Sequence, residues 1–101
     1  MNLGRSYEEQ LLFENEQITV YKWRLMPNES TGEHQDDCPQ VVITLQGGTV
    51  MRIGRDGHTS TILLSEGKVI FQSTDAEPHE AVNISPTPIE AISIELLTNT
   101  F

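Results

Sequence analysis

Histidines are the side chains of this sequence best suited to chemistry, and two of the three lie in informative contexts. His34 is followed by Asp36, and His79 is followed by Asn83. In an extended segment side chains two residues apart point to the same side, so His34 and Asp36 share one face. By the same rule His79 and Asn83 share a face. Two distant segments are therefore each expected to offer an imidazole to one interior, whereas His58, in a predicted hairpin turn, is expected to face solvent.

The single cysteine, Cys38, follows Asp36 and Asp37 directly. Nearby negative charge disfavours a thiolate, so a strongly activated nucleophile is not expected here. Cys38 is interpreted as a small packing residue or as a rim residue of a binding pocket. One cysteine cannot form an intrachain disulfide, and a reducing compartment, the cytoplasm, is therefore the expected location.

The spacing around His34 resembles the first motif of the cupins, a family of small double-stranded β-helix barrels of the jelly-roll type. That motif consists of a Gly, five residues, His-x-His, three or four residues, Glu, six residues and a final Gly. The same spacing here runs through Asn28, His34, Asp36, Gln40 and Gly47. The register of the motif is kept, while Asn, Asp and Gln replace three of its marked residues.

The segment around His79 resembles the second cupin motif. Gly67, His79 and Asn83 stand in the motif's order, and the His-x3-Asn part is intact. Its Pro-x-Gly turn is absent, and Pro78 directly precedes the histidine. More loosely, the chain is similar to the small single-domain cupins linked to β-alanine degradation, in the segments Val20-Tyr21-Lys22-Trp23-Arg24, Thr31-Gly32-x-His34 and Ile92-x-Ile94-Glu95.

The resemblance implies a metal pocket in the mouth of a barrel, with His34, Asp36, Gln40 and His79 at the four ligand positions. Imidazole and carboxylate donors suit one divalent ion such as Fe, Mn, Zn or Ni. The family pattern has a third His and a Glu where this chain has Asp36 and Gln40, and these replacements weaken the expected affinity. Two outcomes are therefore expected for the site: it binds one divalent metal ion with reduced affinity, or it binds no metal.

Structural roles for the same residues stay open. Acidic neighbours favour the protonated form of His34, which is then a loop residue in a hydrogen-bonded cluster. His79 follows Pro78 at the start of a strand and is placed to bond a backbone carbonyl. Asn83 is then a residue of a strand end or turn, and otherwise a ligand-binding residue of the pocket.

Basic residues are few, and three of them fall within predicted strands: Lys22, Arg24 and Arg52. A charge on the inner face of a barrel needs an anion as partner. Arg24 shares a face with Val20, and if that face is interior its guanidinium suits a substrate carboxylate in a bidentate geometry. The alternative is a solvated outer face or an ion pair with one of the abundant acids.

Composition excludes several classes of protein. The 101 residues carry 15 acidic and 6 basic side chains, a formal net charge of -9. Nucleic acids and anionic membrane surfaces need a basic face, so neither is an expected partner. No window approaches the roughly 18 consecutive apolar residues of a membrane span, and the first residues lack the apolar run of a signal peptide.

The apolar residues come in short runs between turn-forming residues, which predicts an all-β domain. The runs are Ile18–Met26, Val41–Gln46, Thr49–Ile53, Thr59–Leu64, Val69–Gln72, Glu80–Ile84 and Ile89–Leu97. Asp56-Gly57 predicts a type I′ hairpin turn, and Gly47-Gly48 is interpreted as a second hairpin connection. Several runs are apolar at both parities, which is typical of strands covered on more than one side. Residues 6–13 fit either a short helix or a strand, and we favour the strand.

These observations predict one cupin-like jelly-roll domain over residues 1–101, with its core at about 10–97. We expect a homodimer, because a small barrel leaves edge strands to cover, with Leu11–Phe13 taking part. The first functional hypothesis is a small-molecule-binding protein with a degenerate metal site. The alternative is a metal-dependent oxygenase or isomerase that acts on a small carboxylated metabolite. A third hypothesis, an interaction module, rests on the acidic charge alone.

Overall fold

The computed structural model describes residues 7–97, which form nine β-strands and no helix. The all-β prediction is confirmed. The strands are β1 (Glu8–Glu14), β2 (Ile18–Leu25), β3 (His34–Asp36), β4 (Gln40–Gln46), β5 (Gly48–Gly54), β6 (Thr59–Leu64), β7 (Val69–Gln72), β8 (Asp75–Asn83) and β9 (Ile89–Leu96). The strand favoured at the N-terminal end of the chain is therefore present as β1. The single-domain boundaries stay a prediction.

Two antiparallel sheets form the jelly roll. One has five strands in the order β1-β2-β9-β4-β7, and the other has four in the order β3-β8-β5-β6. Apart from the consecutive pairs β1–β2 and β5–β6, neighbours in each sheet are distant in sequence. The chain therefore crosses repeatedly between the sheets, as a double-stranded β-helix requires. Residues from both sheets line one cavity between them.

The apolar core fills one end of the space between the sheets. Val50, Leu64 and Ile89 form its buried centre, with Trp23 and Ile70 packed against it. Burial of an aliphatic side chain of this size contributes roughly 1.5–3 kcal/mol to stability. The opposite end of the barrel carries the polar side chains, so the core closes the base of the cavity and leaves its mouth open.

Gly47-Gly48 does not form a hairpin. It joins β4 of the five-stranded sheet to β5 of the four-stranded sheet, so the hairpin prediction was wrong. A Cβ on Gly47 would lie 2.3 Å from the carbonyl oxygen of Leu64, and one on Gly48 would lie 2.6 Å from Ser85 Oγ. Glycine is required here by the close approach of neighbouring groups where the chain changes sheets.

The turn at Asp56-Gly57 is a hairpin, but not of type I′. Gly57 has a φ of 89°, whereas Asp56 has no positive φ. The amide of Gly57 donates to the carbonyl of Gly54, and the amide of Gly54 donates to the carbonyl of His58. This is a type I turn followed by a left-handed glycine, which an Asp-Gly pair fits as well as the predicted turn.

Strand β8 begins at Asp75, ahead of the run Glu80–Ile84 that the sequence predicts, and therefore includes Pro78. Proline is tolerated because the pairing of β3 with β8 shifts register there: His34 lies opposite His79, and Asp36 lies opposite Asp75. Pro78 falls in this bulge, where no ladder bond from its nitrogen is needed. Within the described part of the chain, no helix is long and apolar enough to cross a membrane.

Candidate functional site

Three side chains with metal-binding chemistry meet at the mouth of the barrel. Strand β3 supplies His34 and Asp36, and β8 supplies His79. One potential donor atom from each lies within 4.8 Å of the others. The two imidazole rings are cross-strand partners whose centroids lie 4.6 Å apart. The sequence prediction that both histidines open on one cavity is met by this geometry, whereas their role as ligands stays a prediction.

Backbone carbonyls fix the orientation of both rings. His34 Nδ1 lies 2.9 Å from the carbonyl oxygen of Gly32, and His79 Nδ1 lies 2.7 Å from that of Glu77. A carbonyl oxygen only accepts, so each Nδ1 carries a proton and donates it. In the neutral ring the other nitrogen, Nε2, carries the lone pair that can bind a metal. A hydrogen bond of this kind, made by the ring nitrogen that does not bind the metal, is what orients histidines that bind metals.

Both Nε2 atoms point at the carboxylate of Asp36. His79 Nε2 lies 3.0 Å from Asp36 Oδ2, and His34 Nε2 lies 3.4 Å from Oδ1. Burial raises the pKa of Asp36, but hydrogen bonds and charges from His34 and His79 outweigh it and hold that pKa below its usual value. Gln72 also donates to Asp36 Oδ2 at 3.2 Å. The carboxylate is therefore ionised, with the Nε2 atoms of both histidines facing its two oxygens.

This donor set fits a divalent metal ion. Lone pairs on two nitrogens and on carboxylate oxygens that face one another repel unless a proton or a cation lies between them. Two imidazoles and one carboxylate form a recognised ligand combination for Zn and for Fe(II), with positions left for other ligands. Gln40 is buried on β4 and lines the same cavity, where its amide oxygen is a candidate fourth donor.

The cavity below these donors has a volume of about 150 Å³ and a mainly apolar wall. Trp23 lies on that wall, where its Nε1 donates to Ser93 Oγ at 2.9 Å and its ring meets Tyr7 edge to face. Further wall residues are Tyr21, Leu25, Val42, Val50, Ile62, Leu64, Ile70 and Ala81. Tyr21 and Trp23 were not predicted to belong to the site. Both alternate with their neighbours in step with Leu25, which places all three side chains on one face of β2.

Arg24 does not line this cavity, and its assignment as a carboxylate-binding residue was wrong. On β2 the cavity takes the side chains of Tyr21 and Trp23, so Arg24 lies on the outer face. Its side chain is 43% exposed, and its Nε lies 3.6 Å from Glu90 Oε2. The sequence also allowed Arg24 to form an ion pair on the outer face of the sheet, and the structure shows this arrangement.

Arg52 is the basic residue that does reach the cavity mouth. It lies on β5 and lines the cavity wall. Its Nη2 lies 2.9 Å from Asp75 Oδ2 and 2.8 Å from Glu77 Oε1. Asp75 and Glu77 therefore supply the negative charge that the inward-facing guanidinium of Arg52 needs.

Asn83 is a structural residue rather than a ligand-binding one, which corrects its assignment to the pocket. Its side chain is fully buried. Nδ2 donates to the carbonyls of Leu25 and Thr87, both at 2.9 Å, and Oδ1 accepts from the amide of Ser85 at 2.8 Å. With both amide protons and the oxygen engaged, it ties β2 to the turn before β9.

Cys38 lies on the wall of a second, open groove that adjoins the site. Burial raises the pKa of its thiol, and the charges of Glu95 and Asp37 raise it further. The prediction that its thiolate is disfavoured is therefore confirmed, while contact with a ligand stays a prediction. The acidic residues of this groove are Glu9, Glu14, Glu33, Asp36, Asp37 and Glu95.

Solved structures share this architecture. A cupin domain from Bordetella pertussis matches with a TM-score of 0.80 and 24% identity, over 91% of this chain and 94% of that chain. An RmlC-like cupin family protein with a double-stranded β-helix fold from Methanocaldococcus jannaschii matches with a TM-score of 0.67 and 13% identity, over 95% and 84% of the two chains. The chain has the cupin fold.

A third solved structure with this fold is the polyketide cyclase RemF from Streptomyces resistomycificus. It matches with a TM-score of 0.67 and 17% identity, over 95% of this chain and 70% of that chain. No protein-family model matches the chain, and no curated protein matches it. Structural similarity at identities this low establishes the cupin fold but not the function, which depends on the residues of the site.

The structural role of Asn83 predicts that Asn83→Ala destabilises the protein. The substitution leaves the buried carbonyl of Leu25 and two partly buried groups, the carbonyl of Thr87 and the amide of Ser85, without their partner. The cost is roughly 1–3 kcal/mol for a fully buried group and less for the other two. We expect the free energy of unfolding in urea to fall by about 3 kcal/mol or more. Unchanged stability together with lost ligand binding would restore Asn83 to the binding site.

Proposed function

We propose that the protein binds one divalent transition metal through His34, Asp36 and His79, with Gln40 as a fourth donor. In this proposal the metal helps to bind a small molecule in the adjoining cavity. The observation that carries it is the convergence of two Nε2 atoms on one carboxylate, with both Nδ1 atoms held by backbone carbonyls. Chance surface clusters of acids lack such hydrogen bonds behind their donor atoms.

The donor types narrow the choice of metal. Neutral imidazoles and a carboxylate suit Fe, Mn, Zn and Ni better than Ca or Mg, which prefer oxygen ligands throughout. A bound ion would act as a Lewis acid toward an oxygen atom of the ligand. The protein itself supplies the orientation of the donors and an apolar wall that keeps water from the rest of the ligand.

Charge at the cavity mouth argues for a neutral or cationic ligand with an apolar, aromatic body. Arg52 is already paired with Asp75 and Glu77, and Arg24 faces outward, so neither is free to bind a carboxylate. The groove beside the mouth is acidic and repels anions. Aromatic side chains at Tyr21 and Trp23 offer faces for stacking and for cations. A carboxylated metabolite, the substrate of the enzyme hypothesis, therefore finds no available basic side chain at this mouth and would have to bind through the metal alone.

A metal-dependent enzyme built on the same site is the second candidate function. The fold similarity to a polyketide cyclase favours it, because that name describes an enzyme with the same architecture. The apolar cavity with polar donors at one end suits a compound of similar character. The two candidates share the ligands and differ in whether the bound molecule is converted, which product analysis by mass spectrometry decides. A cytoplasmic location and the exclusion of nucleic acid and membrane partners stay predictions.

Metal binding predicts a thermal shift that depends on His79. With free Zn(II), Mn(II), Ni(II) or anaerobic Fe(II) a hundredfold above the dissociation constant, binding adds about 2.7 kcal/mol to stability. For a domain of this size that raises the melting temperature by roughly 10 °C or more. His79→Ala removes one of the three donors and should abolish most of the shift. The measurement is differential scanning fluorimetry of untagged protein.

His58→Ala is the matched control, because His58 is a histidine at the exposed hairpin turn with its side chain 89% exposed. It should keep the full metal-dependent shift. Asp36→Asn, which preserves size and removes the charge, should lose the shift as His79→Ala does. The absence of any shift in the wild type, or an equal shift in the wild type and His79→Ala, would refute the proposed metal site.

Ligand charge is tested by the fluorescence of Trp23, the only tryptophan of the chain. Because Trp23 lies on the cavity wall, its emission reports occupancy directly. In metal-free protein, where only the charges of the protein act, we expect benzyl alcohol and benzylamine to change the emission with saturation. Benzoate should bind at least about tenfold more weakly, a difference of roughly 1.4 kcal/mol. Benzoate binding as tight as that of benzyl alcohol would contradict the assignment of ligand charge.

A further inference from the structure

Both tyrosines and the only tryptophan of the chain line the cavity. Tyr21 and Trp23 lie two residues apart on β2, and Tyr7 directly precedes β1, the strand that pairs with β2. We call Tyr7, Tyr21 and Trp23 the aromatic cluster. The two phenylalanines of the described residues, Phe13 and Phe71, are more than half exposed and do not line the cavity. The tyrosine and tryptophan rings are therefore gathered where a ligand would bind.

Hydrogen bonds hold two rings of the aromatic cluster in position. Trp23 Nε1 donates to Ser93 Oγ at 2.9 Å, and the hydroxyl of Tyr7 donates to Glu9 Oε2 at 2.7 Å. The two ring planes are nearly perpendicular, at 87°, with their centroids 6.3 Å apart. An edge-to-face contact covers at most one of the four faces of two rings. Each ring therefore keeps at least one face that the other does not cover.

The faces of these rings attract cations, because the π-electrons give each face a partial negative charge. The attraction acts within about 6 Å of the ring centre and is strongest for a cation that has lost its water. Other wall residues of the cavity, such as Leu25, Val42 and Ile70, are apolar. A primary ammonium group gives up hydrogen bonds to water against such a wall, which is costly. A quaternary ammonium group donates none, and its methyl groups pack on apolar side chains.

The open groove beside the cavity supplies the negative charge that a cation needs. Groove and cavity share Tyr7 and Tyr21, so the two spaces meet at the aromatic cluster. Six lining residues of the groove are acidic, of which Glu33 is paired with Arg55. Among the described residues that line the groove, none is Lys or Arg. Glu9 borders the cluster itself, through its bond with Tyr7. A cation is therefore attracted towards these rings, and an anion is repelled.

The cavity limits the size of the ligand. Its volume of about 150 Å³ is below the roughly 300–1,000 Å³ of pockets that enclose drug-sized ligands. A small compound with one charged group therefore fits better than a polymer or a lipid.

We propose that the aromatic cluster binds the quaternary ammonium group of a small cationic compound. The observation that carries the proposal is the meeting of three tyrosine and tryptophan rings with an acidic approach that has no Lys or Arg along its described lining. The proposal deepens the ligand part of the proposed function: it rests on the cavity as a binding site and does not depend on a bound metal.

Choline and its neutral isostere 3,3-dimethylbutan-1-ol test the proposal, because they differ only in the replacement of nitrogen by carbon. In isothermal titration calorimetry of metal-free protein, we expect choline to bind with saturation and the isostere at least about tenfold more weakly. Ethanolamine, a primary amine, should also bind more weakly than choline. Raising NaCl from about 20 to about 500 mM should weaken choline binding, because salt screens the acids of the groove, and should leave the isostere unaffected.

Variants of the aromatic cluster identify the binding groups. Tyr7→Leu and Tyr21→Leu keep an apolar side chain and remove a ring face, so each should weaken choline binding roughly fivefold or more. Tyr21→Phe keeps the ring and should recover most of the loss seen in Tyr21→Leu. Phe71→Leu is the matched control: it removes a ring that is 65% exposed and outside the cavity, and it should bind choline as the wild type does. Circular dichroism checks that all variants keep their strands.

Three results would overturn the proposal: no saturable binding of choline, equal affinity for choline and its isostere, or an equal loss of binding in Phe71→Leu and Tyr21→Leu. The metal-dependent thermal shift is measured without choline, so its outcome is separate. Benzyl alcohol, followed by the emission of Trp23, reports the cavity itself. Binding of benzyl alcohol without choline would refute the ammonium site alone, whereas binding of neither would also refute the ligand part of the proposed function.

Discussion

The candidate site depends on one structural constraint, the pairing of the short strand β3 with β8. This pairing places His34 directly opposite His79 and so brings together residues that are far apart in sequence. A strand of three residues is too short to hold its position through its own ladder. The segment before it therefore has to be anchored by other bonds.

Hydroxyl groups and backbone amides provide that anchor. The amide of Thr31 donates to the carbonyl of Ala81, and the amide of Ala81 donates to Thr31 Oγ1. Ser30 Oγ donates to Glu80 Oε2 at 2.6 Å and accepts from the amide of Gly32. The carbonyl of Gly32 in turn orients the ring of His34. A continuous set of hydrogen bonds thus runs from β8 to the first histidine of the site.

Alternation along an extended segment was sufficient to place His34 and Asp36 on one face, whereas their convergence with His79 was expected from the resemblance to the two cupin motifs. The same reasoning failed for Arg24. Both parities of β2 are apolar or amphipathic, so the pattern did not show which one faces the cavity. The five-stranded sheet carries apolar side chains on both of its sides, which explains this ambiguity. The sheet change at Gly47-Gly48 was also hidden, because it depends on contacts with Leu64 and Ser85 that local sequence does not reveal.

The central claim is that His34, Asp36 and His79 hold one metal ion through their inward-facing atoms. Anomalous diffraction from crystals of the metal-loaded protein, measured at the metal's absorption edge, tests it most directly. The account predicts one dominant peak between β3 and β8, about 2.0–2.2 Å from Nε2 of both histidines and from a carboxylate oxygen of Asp36. A dominant peak elsewhere on the acidic surface, or no peak between these strands at saturating metal, would contradict it.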